Sequence, residues 1–446
     1  MKTAFNNSII TTFSSLSSLS GFIWGFPVLI LILVTSLVLS VKLRFAQLRL
    51  LRLAADIRRW CKRAGPGGTS AFSTALGATV GTGSVTGVAV ALYTGGAGCI
   101  FWMWVSALLG MCLSYCENYL AAVFSADKQL SQKGSGALCY LYHLAAPLAV
   151  SYSLFCVLSS LGMGNMAQVS CAVTAASEGF GIDRDLCSFA VVVFCAFAAA
   201  DKKRCAKICG FLVPIASVIF IGASLLVILS HPLKTASAIG EIFKCAFSFR
   251  SWAGGSFSAF FMSVCIGGLR HGAFSHEAGL GTTCAVHCGC GINDAQQQGK
   301  LAMAEVFIDT MVICTLTALV ILTSGTDYSS SPDGTVTVAN AFSSFFGNKA
   351  AGRSFTCLCL VLFSLCTLSG WFFIGESAFC SLFRKGSTPY AVIYVLSAFV
   401  GTRFTLRTVW DLSDIFNALM AIPNLTGVLV LSKHILPPKF RRLRGV

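Results

Sequence analysis

Charged side chains are what this sequence has least of: they make up 11% of its 446 residues, against about a quarter in a soluble globular domain. That shortage excludes an ordinary soluble enzyme, which would lack the polar surface to cover so apolar a chain. It also excludes a disordered chain, which depends on low hydrophobicity and high charge. Acids are scarcer than bases, 17 against 32, leaving a formal charge of +15. Among the 21 cysteines no spacing suggests a secreted disulfide scaffold. Cys112, Cys156, Cys195, Cys314 and Cys359 sit inside apolar runs, where cysteine serves as small apolar filler. No polar stretch is long enough for an appended soluble module, and no nucleophile–base arrangement marks an enzyme. Nor does a repeated carbonyl filter or a pore helix mark a channel.

What is present is apolar sequence: 55% of residues, with a mean hydropathy of +0.78. The fold class that fits is an all-α polytopic membrane protein, each pass taking about 20 residues. The first apolar run, 21–41, lacks an A-x-A cleavage site, so it reads as a retained helix rather than a signal peptide. Further spans are expected at 70–94, 97–124, 137–176, 186–200, 208–230, 255–281, 300–324, 353–382, 388–402 and 411–432, which makes about eleven transmembrane helices. The 137–176 and 353–382 runs are too long for one straight crossing, so part of each should tilt or lie outside the hydrocarbon.

The positive residues set an orientation. Segment 42–63 carries eight Lys or Arg interleaved with Leu, Ile, Phe and Trp. That is the pattern of a helix lying on an anionic lipid surface, and the helical spacing of its apolar residues argues against nucleic-acid binding. With the N-terminus outside and the C-terminus in the cytoplasm, cytoplasmic segments hold those eight, two in 128–133 and four in 202–207. Lys300, two at 384–385 and five in 433–444 bring the total to 22 of 32, as the positive-inside rule requires. Arg403 and Arg407 fall on the other side, as does the polar stretch 325–352. The chain then divides into an extra helix and basic segment (1–69), two five-helix sets (70–230 and 231–432) and a basic tail (433–446). The expected location is a plasma membrane of the bacterial inner-membrane type.

Two spans break helix rules. The first contains Gly77, Gly81, Gly83 and Gly87 among small and hydroxyl residues, which weaken a helix interior. The second, 267–281, combines glycines with Arg270, His271, His276 and Glu277, a set that cannot face lipid. Close small-residue packing accounts for glycines alone, but not for the charges. Interrupted helices at membrane depth line cavities, where freed N–H groups bind a carboxylate and freed C=O groups a cation. Each five-helix set begins with a break, and an odd number of helices inverts one set relative to the other, the signature of an inverted-repeat secondary transporter. The ligand expected is a small zwitterion with an ion.

Several stretches carry a resemblance to a known family: ATVGTGSVTGVAVAL (78–92), GGAGCIFWMWVSALLGM (95–111), GNMAQVS (164–170), HGAFSHEAGLGTT (271–283), QGKLAMAEVFIDTMVICTLTALVIL (298–322) and SGWFFIGE (369–376). The chain resembles the alanine/glycine:cation symporters, also called sodium:alanine symporters. The resemblance implies a leucine-transporter-type fold, no enzymatic activity, and cation-driven uptake of a small neutral amino acid. It places substrate-contacting positions on Thr82, Gly83, Gln168, Phe274 and Trp371. Gly81, Ser84 and Ser275 stand beside them in the breaks and complete the expected set. The chemistry agrees: N–H groups around Gly81–Gly83 suit a carboxylate, and the Gln168 side-chain oxygen suits an ammonium. Phe274 and Trp371 would act as flat walls restricting side-chain size.

No cofactor is expected apart from sodium as the coupling ion. In the wider fold a sodium site corresponds here to the carbonyls of Gly77 and Val80 and the side chains of Cys366 and Thr367. Sodium prefers oxygen ligands, so Thr367 fits and Cys366, where the family usually has Ser, does not. Ser84, Ser170 and His276 also replace Asn of the family pattern. Proton coupling, with His276 or a carboxylate as carrier, is the alternative. Five acids lie within spans, Glu117, Glu277, Glu305, Asp309 and Glu376. Structural pairing, with Arg270 or with interrupted backbone, is favoured for them over proton relay. Cys284, His287, Cys288 and Cys290 could supply four zinc-ligand side chains, although their spacing is not a standard finger pattern.

Overall fold

Helices form wherever apolar residues run on without a glycine cluster, and the two glycine-rich segments interrupt them. A computed structural model describes residues 20–440 except 26, 248–260, 290, 291, 293, 385, 404 and 405. Among the described residues every regular element is helical. The start of the expected seventh pass (255–260), Cys290, Lys385 and the tail beyond 440 lie outside them. In chain order the helices are α1 (Pro27–Lys42), α2 (Leu50–Thr79), α3 (Thr86–Gly95), α4 (Gly98–Ser125), α5 (Ala137–Leu144) and α6 (Ala146–Phe180). There follow α7 (Arg184–Ala200), α8 (Lys202–Ser230), α9 (Pro232–Ala246), α10 (Gly267–His276) and α11 (Thr282–Gly289). The last are α12 (Ala295–Ser324), α13 (Gly334–Phe346), α14 (Lys349–Phe383), α15 (Thr388–Gly401) and α16 (Leu406–Val430).

Among the described residues, seven helical segments are long and apolar enough to cross a membrane. The other expected crossings are the two interrupted pairs, α2 with α3 and α10 with α11, and the short helices α7 and α15, of 17 and 14 residues. The outer surface is apolar where a soluble protein would be polar. Along α8, Phe211, Val218 and Leu229 are each about two-thirds exposed or more (68%, 69% and 72%), a face suited to lipid.

Three features differ from expectation. The basic segment does not end before the second expected span, 70–94: α2 runs unbroken through residue 69 into the first half of the interrupted pair. Its Leu53 and Asp56 are buried while Arg52, Arg58 and Lys62 are exposed, so one face of that basic stretch packs inward. The 137–176 run divides at Ala145, which is extended, and Pro147 starts α6, a first-turn position that suits proline. The stretch 325–352 is more than a polar loop. Asp333 caps α13 through the Thr335 N–H, and Val338, Ala341 and Phe342 of α13 are buried in a cluster with Leu360 and Phe363 of α14. Arg403, positive on the face expected to lie outside, pairs with Asp185 at 3.2 Å.

The core is made by two helix pairs, α4 with α12 and α6 with α14; α4, α12 and α14 also pack on the interrupted pairs. Cys112, Cys156, Cys195, Cys314 and Cys359 are buried free thiols, as filler residues should be.

Candidate functional site

The first interruption follows from its glycines. α2 stops at Thr79, Val80 and Gly81 are extended, a single tight turn covers Thr82–Ser84, and α3 starts at Thr86. Gly81 is required by close approach: a Cβ there would lie 2.8 Å from Thr367 Oγ1 on α14. The second interruption is sharper. Glu277 is left-handed at φ 53°, and Gly279 and Gly281 follow at φ 96° and 70°. A glutamate in that region is strained, and its carboxylate is held on both sides. Oε2 accepts from Thr282 Oγ1 at 2.7 Å and Oε1 from Trp371 Nε1 at 3.2 Å.

Side chains satisfy much of the second interruption's backbone. Gly279 N donates to Glu117 Oε1 (3.0 Å), Gly279 O accepts from Asn424 (2.9 Å), and Leu280 O accepts from Tyr152 (3.0 Å). His276 Nδ1 accepts from Ala278 N and its Nε2 lies 3.1 Å from Ser106 Oγ, so both ring nitrogens are engaged. Glu117 and Glu277 thus bond to interrupted backbone or its neighbours, as favoured from the sequence. Arg270 pairs with none of the five acids; it meets Asp414 of α16 and lies 3.3 Å from Ser20 Oγ.

The two interruptions meet at a single carboxylate. Ser84 donates to Asp309 Oδ1, Ser275 to Oδ2, and Thr310 to Oδ2 at 2.9 Å. Ser275 Oγ also lies 3.3 Å from Ser84 Oγ and 3.1 Å from Cys314 Sγ. All four oxygen-bearing residues are at most 3% exposed. Asp309 lies in a π-helical turn, Phe307–Cys314, within α12, and such bulges are frequent at functional sites. A buried carboxylate ringed by three hydroxyls is an all-oxygen cradle of the kind hard cations take. From the sequence Asp309 was one of five intramembrane acids. The available signal was an Asp four residues after Glu305 in a largely apolar span, and only packing shows which helices reach it.

The other expected substrate residues fall around one segment of α6. Gln168 Oε1 accepts from Thr82 Oγ1 at 3.1 Å, so two of them touch each other. Trp371 is buried against Gly164, where a Cβ would lie 2.4 Å from its Cγ. Phe274 is half-buried beside Met163 and Ala167 and stacks at a tilt on Trp24, centroids 4.9 Å apart. Gly83 lies close to Ser275, its Cβ position 3.8 Å from the Ser275 Cα.

The expected sodium set is only partly assembled. Thr367 Oγ1 is buried beside Gly81 and, among the described residues, has no hydrogen-bond partner. Cys366 instead faces α8, packed with Cys205, Cys209 and Val213, and Gly77 is close-packed on Val213. Thr367 is therefore the side-chain oxygen that the Gly77, Val80, Cys366 and Thr367 set offers. The described members of the Cys/His cluster, Cys284, His287 and Cys288, do not converge on one another. His287 Nε2 meets Glu305 at 3.0 Å and Cys288 Sγ lies 3.4 Å from Ser125 Oγ. Among the described residues no three His, Cys, Asp or Glu side chains form a metal-ligand group.

Comparison with known proteins places this geometry. Residues 9–438 match the family described as the sodium:alanine symporter family. The chain is 32% identical to the sodium/alanine symporter AgcS of Methanococcus maripaludis, covering 94% of each chain. It is 31% identical to the probable sodium/glutamine symporter GlnT of Bacillus subtilis, covering 93% of this chain and 87% of that one. Among solved structures it is similar in fold to MhsT in complex with L-phenylalanine (TM-score 0.57, 12% identity, 81% of this chain and 88% of that one). It is also similar to the Eremococcus coleocola manganese transporter (TM-score 0.56, 13% identity, 81% and 78%).

Proposed function

Because the chain belongs to the sodium:alanine symporter family, whose members are cation-coupled amino-acid transporters and not enzymes, we propose that it carries alanine or glycine into the cell with sodium by alternating access. The observation that carries this reading is the Asp309 carboxylate, bonded by one serine from each interrupted helix. A cation seated there would replace hydroxyl donation with coordination by the same oxygens and draw the two interruptions together. The freed N–H groups around Gly81–Gly83 would then face the amino-acid carboxylate. Thr82 and Gln168 lie on the ammonium side, and Trp371 and Phe274 limit side-chain volume. Thr367, buried without a partner next to Gly81, offers an oxygen to a second sodium together with the carbonyls of Gly77 and Val80.

In this reading α2 with α3 opens one five-helix set and α10 with α11 opens the inverted second set. The basic face, with segment 42–63 and the tail, lies against the anionic cytoplasmic leaflet of a plasma membrane, and the N-terminus lies outside. The neighbours of Asp309 are neutral hydroxyls and a thiol, which also suits a proton in place of sodium, so of the carriers expected for proton coupling, His276 or a carboxylate, the Asp309 carboxylate is favoured.

The test is uptake of labelled alanine, glycine and glutamine by proteoliposomes at fixed pH, with sodium replaced by choline, and separately with a proton gradient alone. Stimulation by sodium supports the proposal. Stimulation by the proton gradient alone supports the alternative, and accumulation driven by neither gradient removes coupled transport.

A further inference from the structure

The chain leaves α16 through a 3-10 turn (Leu431–His434) and then crosses the basic face as a strap without regular structure, held along its length. Lys42 at the end of α1 donates to Ser432 O. Tyr115 on α4 donates to Leu436 O at 3.0 Å. Lys300 on α12 donates to Lys439 O at 2.7 Å, and Lys439 N donates back to Gln296 Oε1 at 3.1 Å. Lys300 is the hub. It is only 7% exposed, its ammonium also holds Asp56 Oδ2 of α2 at 2.9 Å, and it sits 5.4 Å from the Phe440 ring centroid. Asp56 in turn accepts from Arg59 at 2.6 Å.

These bonds join helices of two groups. α16 packs chiefly on α6, whereas α12 packs on α4 and on α2; α1 touches both groups, through α16 and α4. The strap starts on the first group and is pinned to the second. α2 is moreover one rod with the first half of the interrupted pair, so the Lys300–Asp56 contact reaches the site directly along a helix. Moving either group against the other, as alternating access demands, must stretch or release the Tyr115 and Lys300 bonds. Release of the strap leaves the buried Lys300 ammonium with Asp56 but without the Lys439 carbonyl, and an unsatisfied buried donor is costly, so the pinned and released arrangements are two distinct states rather than a continuum.

We propose that Lys300 is the positioning residue of a latch, in which the strap 431–440 holds the basic face closed until the transport cycle releases it. The proposal rests on the transport reading above. Lys300 touches neither substrate nor ion; it acts through α2 and the strap.

The experiment compares initial rates of sodium-driven uptake and of efflux, with labelled alanine, for the full chain in proteoliposomes. The variants are Tyr115→Phe, Lys300→Met, Lys300→Arg and a chain ending at residue 436. Tyr115→Phe, Lys300→Met and the truncation are expected to raise the ratio of efflux to uptake about two- to tenfold, the effect of losing one or two hydrogen bonds from one state. Lys300→Arg is expected to keep the wild-type ratio. A merely structural role lowers both directions together by shrinking the active fraction and leaves the ratio alone. An active wild type with an unchanged ratio in Tyr115→Phe, the mildest variant, overturns the latch and leaves the transport reading standing. A wild type without uptake removes that reading instead.

Discussion

Ser84 of the first interruption and Ser275 of the second stand 3.3 Å apart and bond opposite oxygens of the same carboxylate, that of Asp309. Two segments 191 residues apart in the chain are thereby joined through a third element, α12. α12 is also tied to the first interruption through Thr317, which donates to Ser84 O at 3.1 Å. A ligand that binds this carboxylate acts on both interruptions at once, which coupling of ion and amino acid requires.

Asp309→Asn keeps the shape and removes the charge. The amide can still meet Ser84 and Ser275, so folding should survive. Half-saturation by sodium is expected to rise about 10- to 100-fold, the range for a charged hydrogen-bonding partner. Uptake measured against sodium concentration reads it directly. An unchanged sodium curve would take Asp309 out of the ion site.

Ser84→Ala and Ser275→Ala each remove one of the two bridging hydroxyls. Because both act on one carboxylate, their effects should not add. Each single variant is expected to raise sodium half-saturation a few-fold, about 0.5–1.5 kcal/mol, and the double variant less than the product. Ser84→Asn restores the amide usual in the family and is expected to remain active with an altered sodium affinity. Additive effects would mean that the two serines serve separate ligands.

Trp371 is fixed from two directions, by the Glu277 carboxylate and by contact with Gly164. Trp371→Ala is expected to admit larger side chains, while Trp371→Phe, which loses only the indole N–H bond, should keep the size limit. Gly164→Ala forces a methyl group toward the indole and is expected to lower alanine uptake with a stability loss of about 1–3 kcal/mol. Competition of labelled alanine by glycine, alanine, valine and leucine distinguishes the three. A selectivity profile that Trp371→Ala leaves unchanged would remove the wall.

Much of this was legible in the sequence, and the remainder was hidden for a common reason. Glycine clusters marked both interruptions and intramembrane charges marked the second, because local backbone chemistry decides where a helix fails. The partners of those charges depend on which helices pack together, which local pattern does not encode. Arg270 finds Asp414, which lies 144 positions away, and Asp309 finds serines from both interruptions. α13 was masked by composition: its Ser and Thr gave the stretch a polar average, although its Val338, Ala341 and Phe342 form a buried face. The continuity of α2 was masked by Gly65, Pro66, Gly67 and Gly68, residues that weaken a helix but here do not end it.

Thr367 separates an ion-binding role from a packing one. Its hydroxyl is 3% exposed as a residue and bonds to no described group, so it carries a desolvation cost of about 1–3 kcal/mol with nothing to offset it. Thr367→Val has the same shape and removes that cost. Without sodium the variant is therefore expected to unfold at the wild-type temperature or above it. With sodium the wild type should gain stability by mass action, RT ln(1 + [Na]/Kd), and the variant should gain less. Gly81→Ala offers an independent approach to the same oxygen, since its methyl group would lie 2.8 Å from Oγ1. It too is expected to blunt the sodium-dependent shift. Thermal unfolding of detergent-purified protein across a sodium series measures both. If Thr367→Val is stabilised by sodium as much as the wild type, the unpaired hydroxyl is a packing defect and any second ion binds elsewhere.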